Sequence, residues 1–198
     1  MRCYTNEECL AWVHGYGREL PSRRQDSPDV PQATIWYPPN PANVDVLWIA
    51  KSMSIREPIL LWITEWGIWP SSENWHLYYR FRQSYGDQRL LHEAPGHLFQ
   101  NYEMDDLATF LQIAMTNGWG GYILPASPHT GSAFFSHDEY IDFYTPDQPY
   151  FLADLQKHFS HLLKPPAAFH TDPSRTRISQ DGTELSPAAI HPDEAAKS

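Results

Sequence analysis

The sequence predicts a single α+β domain, a mixed or antiparallel sheet packed against a few helices, followed by a disordered C-terminal tail. Three observations predict it. Runs rich in β-branched and aromatic residues are grouped before and after one strongly amphipathic stretch, which excludes a regular alternation of strand and helix. Hydrophobic residues make up 41% of the 198 and aromatic residues 14%, enough to fill one core. All eight tryptophans lie between Trp12 and Trp119, whereas beyond Lys164 there is one Phe and neither Trp nor Tyr. That change puts the globular domain at residues 1–164 and a Pro/Ala/Ser-rich tail at 165–198.

Taken in order, Thr5 followed by Glu7 and Glu8 caps a short helix that ends near His14, with Gly15 and Gly17 beyond it. Leu20 to Pro31 has no periodicity and reads as a surface loop. Ala33–Tyr37 and Val44–Ile49 read as strands from their β-branched and aromatic content. Ile59–Trp66 is the most apolar run in the chain, the pattern of a central strand buried on both faces. Residues 75–85 alternate Trp75, Leu77, Tyr79 and Phe81, yet lack any β-branched residue and follow Ser71, Ser72 and Glu73, so they read as helix. Leu107, Phe110, Leu111 and Ala114 at i, i+3, i+4 and i+7, closed by Asn117-Gly118, define an amphipathic helix. Gly121–Leu124 and Ser132–Ser136 flank a Pro-His-Thr-Gly turn and predict a hairpin. Leu152, Leu155, Phe159 and Leu162 mark a last helix.

Lys plus Arg number 14 against 24 Asp plus Glu, a formal charge of −10. That balance argues against nucleic acid or anionic lipid and for a basic protein partner. The longest apolar candidate, Pro58 to Pro70, is too short to span a membrane and contains Glu65. Two cysteines, Cys3 and Cys9, are too few and too local to staple the domain and read as reduced thiols. The N-terminal residues carry Glu7 and Glu8 where a targeting sequence avoids acids, so a cytoplasmic location is expected.

Few residue patterns carry chemistry. His92-Glu93-Ala94-Pro95-Gly96-His97 has the wrong spacing for a helical zinc motif, and Pro95 with Gly96 breaks a helix, so a turn with exposed histidines is expected. Asp154, His158 and His161 at i, i+4 and i+7 are candidate metal ligands, but they lie opposite the apolar stripe and read first as its solvated side. Ser136-His137-Asp138-Glu139 places a hydroxyl, an imidazole and two carboxylates in sequence, the groups of a hydrolase or nuclease. Neighbouring residues of an extended segment face opposite ways, however, so a turn or a partner-facing acidic surface is the stronger reading. The chain has no Gly-x-Ser-x-Gly elbow, phosphate loop or Cys-x-x-Cys pair, and the sequence calls for no cofactor. Trp62, Trp66, Trp69 and Trp75, with Tyr78, Arg80, Arg82 and Arg89, concentrate rings and guanidiniums that suit either a core or a binding surface.

Gly118-Trp119-Gly120-Gly121-Tyr122-Ile123-Leu124, followed by Phe134-Phe135-Ser136-His137-Asp138-Glu139-Tyr140-Ile141, resembles the end of bacterial polymorphic-toxin immunity-type proteins over residues 107–144. The resemblance implies a cytoplasmic, non-enzymatic protein that neutralises a cognate toxin by binding, and it carries over no active-site residue. Partner-facing candidates are Glu103, Asp105, Asp106, Asp138, Glu139 and Asp142, with Trp69 and Trp75. The alternatives are a Trp-rich carbohydrate or small-ligand module using Trp66, Trp69 and Trp75, and a hydrolase or nuclease using His137, Asp138 and Glu139.

Overall fold

In the computed structural model, which describes residues 1–21, 31, 33–37, 44–53, 57–66, 75–145, 149–163, 177–178 and 184–185, the chain opens with β1 (Arg2–Tyr4) and α1 (Asn6–Gly15). There follow β2 (Ala33–Trp36), α2 (Val46–Met53), β3 (Ile59–Glu65), α3 (Trp75–Ser84), β4 (Gly96–Phe99) and α4 (Met104–Thr116). The hairpin β5 (Gly120–Pro125) and β6 (Ser132–Ser136), then β7 (Tyr140–Tyr144) and α5 (Pro149–His158), complete a unit spanning residues 1–166. A second unit, residues 167–198, contains the antiparallel pair β8 (Arg177–Ile178) and β9 (Glu184–Leu185). The rest of the predicted tail lies outside the described residues, as do residues 22–30 of the predicted surface loop.

All seven strands of the main sheet pair antiparallel, in the order β1-β4-β3-β5-β6-β7-β2. The α+β class is therefore as the sequence predicts. β3 lies inside the sheet, and the alternation of its side chains explains its unbroken apolar run. Ile59, Leu61 and Ile63 join the cluster formed with α2 to α5, while Leu60 and Trp62 join the cluster on Cys9, Trp12 and Val13 of α1. A strand covered by helices on both faces has no polar side to show.

Local chemistry sets the helix ends. Thr5 Oγ1 accepts from the Glu8 amide at 3.2 Å and Glu8 Oε2 accepts from the Thr5 amide at 2.7 Å, a complete capping box for α1. At the end of α4, Gly118 takes φ 65°, and the Gly118 and Trp119 amides donate back to the Met115 and Ala114 carbonyls at 3.1 and 2.9 Å. The helix expected at residues 75–85 is α3.

One element corrects the sequence reading. Val44–Ile49, expected as a strand, turns into α2, because Asp45 Oδ1 caps the Trp48 amide at 2.9 Å. Val46, Ile49, Ala50 and Met53 then fall on one buried face, and α2 packs on α4. Helical burial outweighs the β-propensity of Val and Ile. β1, β4 and β7 are short strands that composition alone does not mark. The last helix ends at His158, so Phe159 and Leu162 pack from the turn after it.

The β5–β6 connection is held from a distance. Arg18, buried beside α1, donates Nη1 to the Pro125 carbonyl at 2.7 Å and also to the Ser127 carbonyl, and Nη2 to the Gly131 carbonyl. Burial lowers its pKa to about 10, which leaves the guanidinium charged at neutral pH. None of the described helices is long and apolar enough to cross a membrane.

Candidate functional site

Successive side chains of a strand alternate between the faces of its sheet, yet Arg2, Cys3 and Tyr4 all line one cleft of about 630 Å³. A cleft that meets three consecutive residues runs along the strand's edge. β4 occupies the other edge of β1, so the cleft follows the open one, walled by α1 and residues 85–89.

That edge is already blunted. Arg89 Nη2 donates to the Cys3 carbonyl at 2.9 Å, which shows that the peptide groups of Cys3 point away from β4 into the cleft. The Thr5 amide is taken by Glu8. Among the described residues no side chain takes the Cys3 N–H, which points along the same edge. Side chains that cap an edge in this way oppose the addition of another strand.

A buried polar chain stands behind the cleft. Arg89 donates to Asp87 through Nε at 3.0 Å and Nη2 at 2.5 Å, and Arg82, itself fully buried, donates Nη2 to Asp87 at 3.1 Å. Arg82 Nη1 donates to Tyr78 Oη at 2.8 Å, so the tyrosine hydroxyl must direct its hydrogen to His97 Nε2, also at 2.8 Å. The ring is then the neutral Nδ1–H tautomer, with Leu61 O 3.4 Å from Nδ1. Burial, then the Arg82 charge, pushes the His97 pKa down to about 3. Burial alone would raise the Asp87 carboxyl, but the bonds from Arg89 and Arg82 outweigh it and hold it at about 2. His97 thus corrects the expectation of exposed histidines at residues 92–97, because Gly96–Phe99 is an interior strand; only His92 of the pair is exposed.

Burial disfavours the thiolate form of both cysteines. Cys3 and Cys9 are free and buried, and burial raises their pKa to about 11 and about 12.

The acidic candidates scatter. Glu103 is partly buried, pairs with the Met1 ammonium and accepts from the Gln100 amide at 2.8 Å. Asp106 accepts the Tyr85 hydroxyl. Asp105 and Asp138 are exposed; Asp105 lies 3.8 Å from Lys51 Nζ, and Asp138 Oδ1 lies 3.4 Å from His137 Nε2. Glu139 and Asp142 correct the reading of a solvent-facing acidic surface. Glu139 is buried in the β6–β7 turn with φ 69°, and Asp142, fully buried inside β7, accepts Thr34 Oγ1 at 2.6 Å.

His137 finds a partner the sequence does not show. Its Nδ1 lies 2.9 Å from Glu65 Oε2, at the end of β3. Gly120 permits this approach, since a Cβ there would lie 2.3 Å from the same oxygen. Only a pairing of β3 with β5, invisible in local sequence, brings these groups together.

Trp75 is partly buried, edge-on to Trp119 at 5.1 Å and stacked on Tyr79 at 6.0 Å, so it belongs to the core margin; Trp69 lies outside the described residues. Tyr78 and Arg82 are interior groups and not a stacking platform. Asp154, His158 and His161 are exposed, but His158 stacks on Trp48 at 4.8 Å with its Nε2 3.1 Å from Asp45 Oδ2. Among the described residues no three metal-type donors converge.

Comparison with family models, with curated proteins and with solved structures returned no match.

Proposed function

We propose that this is a non-enzymatic interaction protein that recognises a basic protein partner, and that its specific role is to neutralise a cognate toxin by binding. The observation that supports this reading most is the formal charge of −10 on the chain. A field of that sign attracts a basic partner over a distance and raises its rate of encounter. The two cysteines have raised pKa values, His97 is buried and neutral, and His137 is held at Glu65.

Affinity purification of the tagged protein at low salt, followed by mass spectrometry, tests the reading. The expected result is one stoichiometric basic protein, released as salt is raised and inhibited in its own activity when bound. A partner that is acidic, or one held equally well at high salt, would overturn it.

A further inference from the structure

We propose that the cleft at the open edge of β1 binds a carboxylate, received by the Cys3 backbone N–H together with the guanidiniums of Arg89 and Arg2. The inference is independent of the partner reading above. It begins with direction: the Cys3 carbonyl is occupied by Arg89, and the Cys3 N–H projects from the same edge into the same cleft. An N–H beside a guanidinium is a donor pair that suits a planar, two-oxygen anion.

Charge points the same way. Although the chain carries −10 overall, the charges in and behind this cleft balance, with Arg2, Arg82, Arg89 and the Met1 ammonium against Glu8, Asp87, Glu103 and Asp106. Asp87 is paired with Arg82 and Arg89, while Glu8 accepts from the Thr5 amide and keeps its charge. Arg2 is exposed and forms no ion pair among the described residues, and the Arg89 side chain is 42% exposed. A dianionic phosphate would meet Glu8 at close range, so a single negative charge fits better.

The walls select an organic acid. Tyr4, Trp12 and Tyr85 line the cleft, and its volume lies in the range of about 300–1,000 Å³ common to small-ligand sites. Two sources share this chemistry: a free aromatic acid, and the C-terminal carboxylate of a peptide.

Nitrogen-resolved NMR of the full chain decides between them, with phenylacetate, the acid and amide forms of N-acetyl-Gly-Gly-Phe, and inorganic phosphate as probes. The expected result is a saturable shift of the Cys3 amide and the Arg89 Nε with a carboxylate, weakened about tenfold or more by amidation. The stronger of phenylacetate and the peptide acid identifies the source. Arg89→Gln should abolish the shift; because Arg89 also braces Asp87, Arg2→Gln, at an exposed side chain with no ion pair among the described residues, should weaken it several-fold in a protein whose melting is unchanged. The proposal is overturned if no carboxylate moves the Cys3 amide by about 10 mM, if the amide binds as well as the acid, or if phosphate binds more tightly than both.

Discussion

At Asp87 a single carboxylate accepts from two guanidiniums, one fully buried and one at the cleft rim. Among the described residues it is the one acid paired with Arg82, whose Nε finds no acceptor. Asp87→Asn keeps the shape and removes the charge, leaving a buried cation uncompensated. A loss of roughly 3 kcal/mol in unfolding free energy is expected, since breaking a buried pair from one side typically costs about 3–5 kcal/mol; a loss within error in urea titration would show that Tyr78 alone sustains Arg82. His97 sets a pH dependence of definite sign. The unfolded imidazole takes a proton near 6.5 and the folded one not until about 3, so between those values the unfolded chain binds more protons. Stability should therefore fall as pH drops from about 6.5 towards 3, and His97→Gln should flatten that slope. Below 3.8 the protonation of Asp87, depressed to about 2, adds a second acid loss. Denaturant melts at a series of pH values in both proteins check the pair of statements.

The elements show which signals a sequence carries openly. α4 is legible because its apolar residues keep helical spacing and Gly118 supplies the left-handed residue its closing turn needs. β3 is legible because both its faces are covered. α2 is not, because Val, Leu, Trp and Ile favour a strand locally while a longer-range fact, burial against α4, decides otherwise; the capping oxygen of Asp45 is the signal that marks it. β4 is four residues with an imidazole in the middle, and its strand character comes from its neighbours β1 and β3. Caps and staples give element-scale predictions. Thr5→Ala, which removes one half of the α1 capping box, should cost about 1 kcal/mol. Arg18→Met should cost more, roughly 3 kcal/mol, because three carbonyls lose a charged donor at once. Thermal unfolding of the two variants would reverse this ranking only if the β5–β6 connection held itself.

Over the whole molecule, charge and topology govern what the sequence could not show. The acidic balance is read directly from composition, but which acids face solvent is not: Asp142 and Glu139 vanish into the β7 region while Asp105 and Asp138 stay outside. The edge cleft was illegible for the same reason, since β1, α1 and residues 85–89 meet only after β4 has paired. Reversing Asp105 and Asp138 together to Lys should slow association with a basic partner several-fold at low salt and flatten its salt dependence, with little change in dissociation. Stopped-flow or surface-binding kinetics at two ionic strengths would show it; equal rates for both proteins would place the contact elsewhere.

The order β1-β4-β3-β5-β6-β7-β2 puts the two strands nearest the N-terminus at opposite rims of the sheet. β1 waits for β4, and Ile35 of β2 has no partner until Ile141 is made. At about 5–20 residues per second a ribosome leaves β2 unpaired for roughly 5–20 s after it is synthesised. During that interval the growing chain holds an aromatic strand open to mispairing, while β3, β4 and β5 complete the first half of the sheet. β2 thus closes onto β7 only once that strand is made, whereas β1 finds β4 earlier.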